Sequence, residues 1–405
     1  MKEIGKEVPL VKLGDIAQIY NGNSINATVK KQKYAGLQYG LPYIATKDVA
    51  FDGTVTYDNG VKIPAGEPKF KTAPAGTVFV CSEGGSAGKK TALINQEVCF
   101  GNKLYALVSD TSRCTPEYLY LFTRSPQFRE QFKKRHGGLI GGVSLTEFST
   151  IEIPLPSLDI QIEITARLRG MLKTCTSLAG QTNTTARRIG EYRQLLIDRA
   201  FVPRNPEALI PLGNLLEDKP RNGKSVRPNS DKIGVRSLSL SATTSGTFRP
   251  EFFKYVDLKV PEDSYLWLEP EDILIQRANT IDYVGTAALY TGKSCEFIYP
   301  DLMMKLRPKS DVLPRFMLLQ LQSSRVRQYF RNNAIGTAGN MPKINQKVVM
   351  STPFLYYPME SQKALVADLA PSLEELDDIQ RKLEVLSEQI RQMVFSLLQQ
   401  AFATI

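Results

Sequence analysis

Apolar positions between residues 158 and 202 step by four and three in alternation: Ile164, Leu168, Met171, Cys175, Leu178, Thr182, Thr185, Ile189, Tyr192 and Leu196. A stripe of that mean spacing stays on one side of a helix and faces a partner helix. Adding 201 to each number gives Leu365, Leu369, Ser372, Leu376, Ile379, Leu383, Leu386, Ile390, Met393 and Leu397, so the pattern occurs twice. The spacing predicts two helices of about 40 residues, each roughly 60 Å long at 1.5 Å per residue. Two helices buried separately in unrelated cores is the alternative, but such helices carry a wider apolar face. Gly180 and the stretch Gln181-Thr182-Asn183-Thr184-Thr185 are poor helix formers, and Pro371 is expected to kink the second helix or mark its start.

The rest of the chain repeats as well. LVKLGDIAQIYNG at 10–22 is echoed by LIPLGNLLEDKPRNG at 209–223. AGTVFVCSEGGSAGKKTALI at 75–94 parallels PEDILIQRANTIDYVGTAAL at 270–289: a β-branched run, a polar glycine-containing loop and a second apolar run. TPEYLYLFTRSPQFREQF (115–132) and LPRFMLLQLQSSRVRQYF (313–330) each have the spacing of one amphipathic helix. A glycine-rich polar loop follows each, at 136–148 and 332–349, and then a proline-punctuated extended segment with Gln161 or Gln362 at its end. The expected fold class is mixed α/β. It comprises a first globular domain over 1–157, a first spacer helix over 158–202, a second globular domain over 203–358 and a second spacer helix over 359–405, the long helices antiparallel in a coiled coil.

Charge and cysteine content narrow the class. The chain of 405 residues carries a formal charge of +10, from 51 Lys+Arg against 41 Asp+Glu. The four segments carry +5, +3, +6 and −4 in order, so the basic excess sits in the two globular blocks and suits a polyanionic partner. The opposite signs of the helical segments favour their pairing with each other. Cys81, Cys99, Cys114, Cys175 and Cys295 are odd in number and form no CxxC pair, which points to reduced thiols. The N-terminal stretch lacks the blocks of a secretory signal and no long apolar run occurs, so a cytoplasmic location is expected.

The order of globular block, helix, globular block, helix resembles the specificity subunits of type I restriction-modification systems. The resemblance covers essentially the whole chain and is strongest at KLGDIAQIYNG (12–22), IPLPSLDIQIEI (153–164), GTAGNMPKIN (336–345), and Ala401-Phe402 echoed by Ala200-Phe201. It implies that each globular block is a target-recognition domain reading half of a bipartite double-stranded DNA sequence, while the paired helices set the unread gap. It also implies docking of two methylation subunits, which bind S-adenosylmethionine, and of restriction subunits, with no cofactor held by this chain. The polar centre of the first helix departs from the family pattern and leaves the gap length open.

The residues themselves argue against chemistry in this chain. There is no Pro-Pro pair for an amino-methylation motif, and the phosphate-loop lookalike Gly84–Thr91 is one residue short, with Lys90 where a magnesium-binding hydroxyl belongs. His136 is the single histidine, and Glu269, Glu271 and Asp272 read as the entry to a strand rather than as a nuclease site. No catalytic or metal-binding residues are expected. Phosphate contacts need cations, and base discrimination needs Arg, Lys, Asn or Gln at groove edges. The candidate DNA-contacting residues are Ser86, Lys89, Lys90, Lys133, Lys134 and Arg135 in the first domain. In the second they are Gln276, Arg277, Asn279, Arg331, Asn332, Asn333, Asn340, Lys343 and Asn345, with the Gly137-Gly138 and Gly141-Gly142 turns admitting close backbone approach. A non-enzymatic adaptor, with two protein-binding domains on a coiled coil, is the competing reading.

Overall fold

Val78-Phe79-Val80-Cys81 is apolar at every position, and in the computed structural model it is a strand buried on both faces within a four-stranded antiparallel sheet. The structure describes residues 8–135, 142–203, 209–336 and 341–403. The chain divides into two compact units, Met1–Asn183 with Val385–Ile405, and Thr184–Glu384, so each boundary falls inside a long helix.

In the first unit the elements used below are β1 (Leu10–Lys12), β2 (Ala17–Asn21), β3 (Val78–Cys81), β4 (Thr91–Leu93), β5 (Leu104–Ser109), helices α1 (Pro116–Arg124), α2 (Pro126–Lys134) and α3 (Leu145–Ser149), and β6 (Glu152–Pro154). The sheet order is β2-β5-β3-β4, and β1 pairs antiparallel with β6 in the register Leu10 to Pro154. Helix α4 (Leu158–Ala200) follows.

The second unit repeats this plan with β7 (Leu209–Pro211), β8 (Arg221–Asn222), β9 (Ile273–Gln276), β10 (Ala287–Leu289), β11 (Met303–Leu306), α5 (Pro314–Gln322), α6 (Ser324–Asn333), α7 (Gln346–Met350) and β12 (Pro353–Leu355). Its sheet runs β8-β11-β9-β10, and β7 pairs with β12. Helix α8 (Met359–Ala403) closes the described chain. The repeats diverge in their outer layers. A second four-stranded sheet covers residues 41–44, 62–63, 72–73 and 98–100 in the first unit, where the second has one strand pair over 235–238 and 253–256.

The amphipathic stretches expected as single helices are two helices each. Ser125 and Ser323 are extended, with ψ of 156° and 147°, and each hydroxyl accepts from the third residue onward, capping α2 and α6. Serine gives the backbone a local alternative to helix, and Pro126 following Ser125 disfavours the helical conformation there. The break folds α1 and α2 over the first sheet, where Phe122, Phe128, Phe132 and Phe148 pack edge-on or tilted about 6 Å apart.

Helix α4 runs unbroken through its threonines. The Thr174, Thr176 and Thr182 hydroxyls donate to carbonyls four residues back, and Thr182 is buried. Helix α8 likewise continues through Pro371, having begun at Met359, so Pro371 does not mark its start. Pro371 lacks the N–H that would bond the Ala367 carbonyl; both residues are exposed, where water can take that carbonyl.

Each helical half joins the core of its own unit. Ile164, Leu168, Met171, Leu397, Leu398 and Phe402 share the first unit's core, and Ile197, Phe201, Leu365, Leu369 and Leu373 share the second's. Within the second unit the two halves run antiparallel, with Arg193 Nε donating to Asp377 Oδ1 at 3.0 Å while Phe201 meets the core shared by 365–373. Phe402 packs on Tyr118 and Phe122, at 5.2 and 5.5 Å between ring centroids, and Phe201 packs on Phe316 at 5.5 Å. Of the proposed stripe, Cys175, Leu376 and Ile390 are also buried, and Leu178, Ile189, Leu196, Ile379, Leu383 and Leu386 are half-buried.

The strict 3.5-residue spacing does not hold at every position. Thr185, Tyr192, Ser372 and Met393 are exposed, and their neighbours Ala186, Arg193, Leu373 and Val394 take the inward positions. The stripe is regained at Ile189, Leu196, Leu376 and Leu397, so these are local shifts by one residue.

Candidate nucleic-acid interface

Two loops meet in each unit. In the first, residues 82–90 leave β3 and return as β4, with Gly88 N–H donating to the Cys81 carbonyl at 2.8 Å. The segment after α2 joins them: Val143 N–H donates to the Ser82 carbonyl at 3.2 Å, and Glu83 bridges to Gly142. Gly88 has φ +65°, and a Cβ there would lie 2.6 Å from the Phe132 ring, so glycine is what lets the loop close on α2. The loop runs into a strand and not into the helix that a phosphate loop needs.

The candidate cations of this unit differ in freedom. Ser86 is half-buried, and its carbonyl receives Lys89 N–H at 3.0 Å. Lys89 is exposed, with Nζ reaching the Gly85 carbonyl at 3.2 Å. Lys90 Nζ donates to the Thr46 carbonyl at 3.0 Å and lies 5.1 Å from the Phe51 ring centroid, tying the loop to the outer layer. Lys133 and Lys134 are exposed on the last turn of α2. Arg135 is engaged within the fold, its guanidinium donating to the Thr150 hydroxyl, Thr150 carbonyl and Gln131 carbonyl at 2.9, 3.0 and 3.1 Å. Its geometry is that of a brace. His136, Gly137, Gly138 and Gly141 lie outside the described residues.

The second unit builds the same junction. Gly285 N–H donates to the Gln276 carbonyl at 2.7 Å, with φ +77° and a virtual Cβ 2.5 Å from the Phe330 ring. Ile344 N–H donates to the Arg277 carbonyl at 2.9 Å, and Ala278 and Ile335 both bridge to Lys343. Arg277 is half-buried, with Nη1 3.3 Å from the Asp301 carbonyl, and Lys343 is exposed. Asn279 Nδ2 donates to Gln276 Oε1 at 2.6 Å, and its Oδ1 accepts from Thr280 N–H at 2.7 Å. Arg331 is half-buried; Asn332 and Asn333 are exposed, each bonded to its own helix. Asn340 lies outside the described residues.

Two candidates in this unit have other work. Gln276 is fully buried, with Nε2 donating to the Leu240 carbonyl and the Thr243 and Thr244 hydroxyls at 2.9, 3.0 and 3.0 Å. It holds Asn279 and the 240–244 turn together and presents nothing to a groove. Asn345 is the N-cap of α7, its Oδ1 accepting from Val348 N–H at 2.9 Å. Asn345→Ala is expected to cost about 1 kcal/mol of stability in a denaturant titration while leaving DNA affinity unchanged.

Beneath the junction, Asp272 is completely buried against Arg307 at 2.8 Å and Lys305 at 3.5 Å, and it accepts from Glu269 N–H at 2.8 Å. Burial lowers the Lys305 ammonium below its usual range, and Asp272 partly offsets this. The acidic group is thus a structural ion cluster at the start of β9. Sequence reasoning passed over the paired contacts Gly88 with Phe132 and Gly285 with Phe330. The signal was available as glycine at corresponding places in the two aligned loops.

Residues 5–186 match the family described as "Type I restriction modification DNA specificity domain". The chain is similar to the type I restriction enzyme EcoKI specificity subunit of Escherichia coli (strain K12), 22% identical over 69% of this chain and 63% of that one. It is also similar to the StySPI specificity subunit of Salmonella potsdam, 25% identical over 71% of this chain and 65% of that one. The matches therefore span just under two thirds of the length of these relatives. A chain from a solved structure concerned with complex assembly and conformational transition of the type I R-M system superposes over 97% of both chains, with a TM-score of 0.63 and 16% identity, a likeness of fold.

Proposed function

We propose that this chain is a specificity subunit of the type I restriction-modification kind and reads a bipartite double-stranded DNA target, one half-site per unit. The observation that carries the reading is the junction built twice: a loop leaving the central strand is bonded by its backbone to the segment following the helix pair, and amides and cations gather there. Direct readout needs such side chains on a backbone rigid enough to hold them in register with base edges. In this reading the two long helices, of 43 and 45 residues, set the unread gap between half-sites.

In this reading the chain is not itself an enzyme. Two methylation subunits, with S-adenosylmethionine bound to them, dock on the helices, and restriction subunits complete the assembly in the cytoplasm. No helix among the described residues is long and apolar enough to cross a membrane.

The test is to map adenine methylation by single-molecule sequencing in cells carrying this chain with its methylation subunit. A split motif with a fixed gap is expected; an undivided motif or an unmodified genome would overturn the proposal. Arg277→Ala is expected to relax the base accepted at one position, at roughly 1–3 kcal/mol of discrimination, and Lys90→Ala to weaken all sequences evenly. Binding that is insensitive to salt would favour the adaptor reading, because phosphate contacts release counterions.

A further inference from the structure

Arg327 and Arg331 lie one turn apart on α6, at the edge of a hollow of about 340 Å³. Arg193, Thr244, Ser245 and Ser324 line it too, so one side belongs to α4 and another to the turn held by Gln276. Arg327 is held firmly: Nη1 donates to the Val284 carbonyl at 2.6 Å and Nη2 to the Asp282 carbonyl at 2.8 Å. Both acceptors are backbone atoms of the loop that carries Arg277 and Asn279. Arg331 Nε is buried with no hydrogen-bond partner.

The charge here is only partly balanced, Asp282 being the one carboxylate residue in the lining. Arg193 is neutralised by Asp377 at 3.0 Å, but among the described residues neither Arg327 nor Arg331 has a carboxylate within ion-pair distance. Burial, and then the neighbouring charge of Arg331, pulls the Arg327 guanidinium down to about 10. Two cations held together in a partly desolvated hollow repel each other and lose hydration, a cost that an incoming anion reverses. The guanidinium fork matches phosphate oxygens in a bidentate way, and the Ser324 hydroxyl lines the same hollow, whereas those of Thr244 and Ser245 already donate to the Leu240 and Thr247 carbonyls.

The first unit carries an arginine at the matching helix position. Aligning Gly88 with Gly285 and Phe132 with Phe330 sets Arg129 at the place of Arg327. Burial and Arg124 lower the Arg129 guanidinium in turn. An arginine at the matching helix position in both halves suits the part of the ligand common to both half-sites, the sugar-phosphate backbone.

We propose that Arg327 and Arg331 clamp a backbone phosphate of DNA beside the second reader loop, with Arg129 at the corresponding station of the first. This rests on the DNA-reading proposal and adds a sequence-independent contact that fixes the duplex against the loop.

The test uses the full chain, mixed-sequence duplex DNA and fluorescence anisotropy across a salt series. Arg331→Gln is expected to bind more weakly on every sequence and to reduce the slope of log K against log salt by about 0.9, the signature of one lost phosphate contact. Arg327→Lys, which keeps the charge but loses the fork, is expected to keep the slope and lower affinity at all salt concentrations. A wild-type slope in Arg331→Gln, with wild-type binding still steep, overturns the clamp while leaving DNA reading intact. Absence of salt-dependent binding in the wild type overturns both. If inorganic phosphate raises the wild-type thermal midpoint but not that of Arg331→Gln, and the DNA slopes coincide, the hollow takes free phosphate and the DNA clamp is wrong.

Discussion

Gln362→Leu is expected to lower the thermal midpoint of the chain by on the order of 10 °C in scanning calorimetry, although it removes no charge and changes little volume. Gln362 is fully buried at the start of α8. Its Nε2 donates to the Asp311 and Tyr357 carbonyls at 2.9 and 2.7 Å, and its Oε1 accepts from Leu313 N–H at 2.8 Å. Leucine fills the space and leaves three backbone groups without partners, each costing about 1–3 kcal/mol when dry. Allowing one to reach water, the loss is about 3–5 kcal/mol, at about 2–4 °C per kcal/mol for a unit of this size.

Gln161 does the same in the first unit, donating to Arg113 and Pro156 carbonyls at 2.9 Å and accepting from Thr115 N–H at 2.9 Å. Gln161→Leu is therefore expected to match Gln362→Leu. A drop of only a few degrees in either would show that these amides do not anchor the long helices to their domains.

The largest functional effect is expected from Gly285→Ala. A methyl group there falls 2.5 Å from Cδ2 of Phe330, and Phe330 is fully buried, with no room to yield. The φ of +77° adds strain for any residue with a Cβ. Relief requires the loop to lift from α6, breaking Gly285 N–H to the Gln276 carbonyl and shifting Arg277 and Asn279. Under the DNA-reading proposal, a displacement of about 1 Å misplaces groove contacts worth roughly 1–3 kcal/mol each. The variant should therefore lose methylation at its cognate sites while keeping much of its salt-sensitive binding to unrelated DNA. Retention of the full methylation pattern would show that this loop does not read bases. Gly88→Ala, at 2.6 Å from Phe132, tests the first half in the same way.

The long helices were legible because their signal is local. Ile164, Leu168 and Cys175 recur at helical spacing and are buried, as are Leu369, Leu376 and Ile390. The repeat was legible because comparing the chain with itself needs no knowledge of contacts, and the two sheets share one strand order. The breaks at Ser125 and Ser323 were missed because apolar spacing continues across them, while the serine caps act on the backbone.

Among the polar candidates, side-chain type stated what each could bond but not which neighbour would take it. Gln276, Arg135 and Asn345 have the donors and acceptors of groove readers, yet they bond to Thr243, Thr150 and Val348. Arg327 drew no notice in the sequence because nothing local distinguishes it from a surface arginine; its setting comes from Val284, 43 residues away.

The sequence by itself determined two long helices, a duplicated α/β unit and a basic excess in both copies, since periodicity, self-similarity and charge are properties of the chain read in order. Only the tertiary structure decided which polar side chains remain available to a ligand. A buried donor bonds to whatever the fold brings beside it, and those partners stand tens of residues apart.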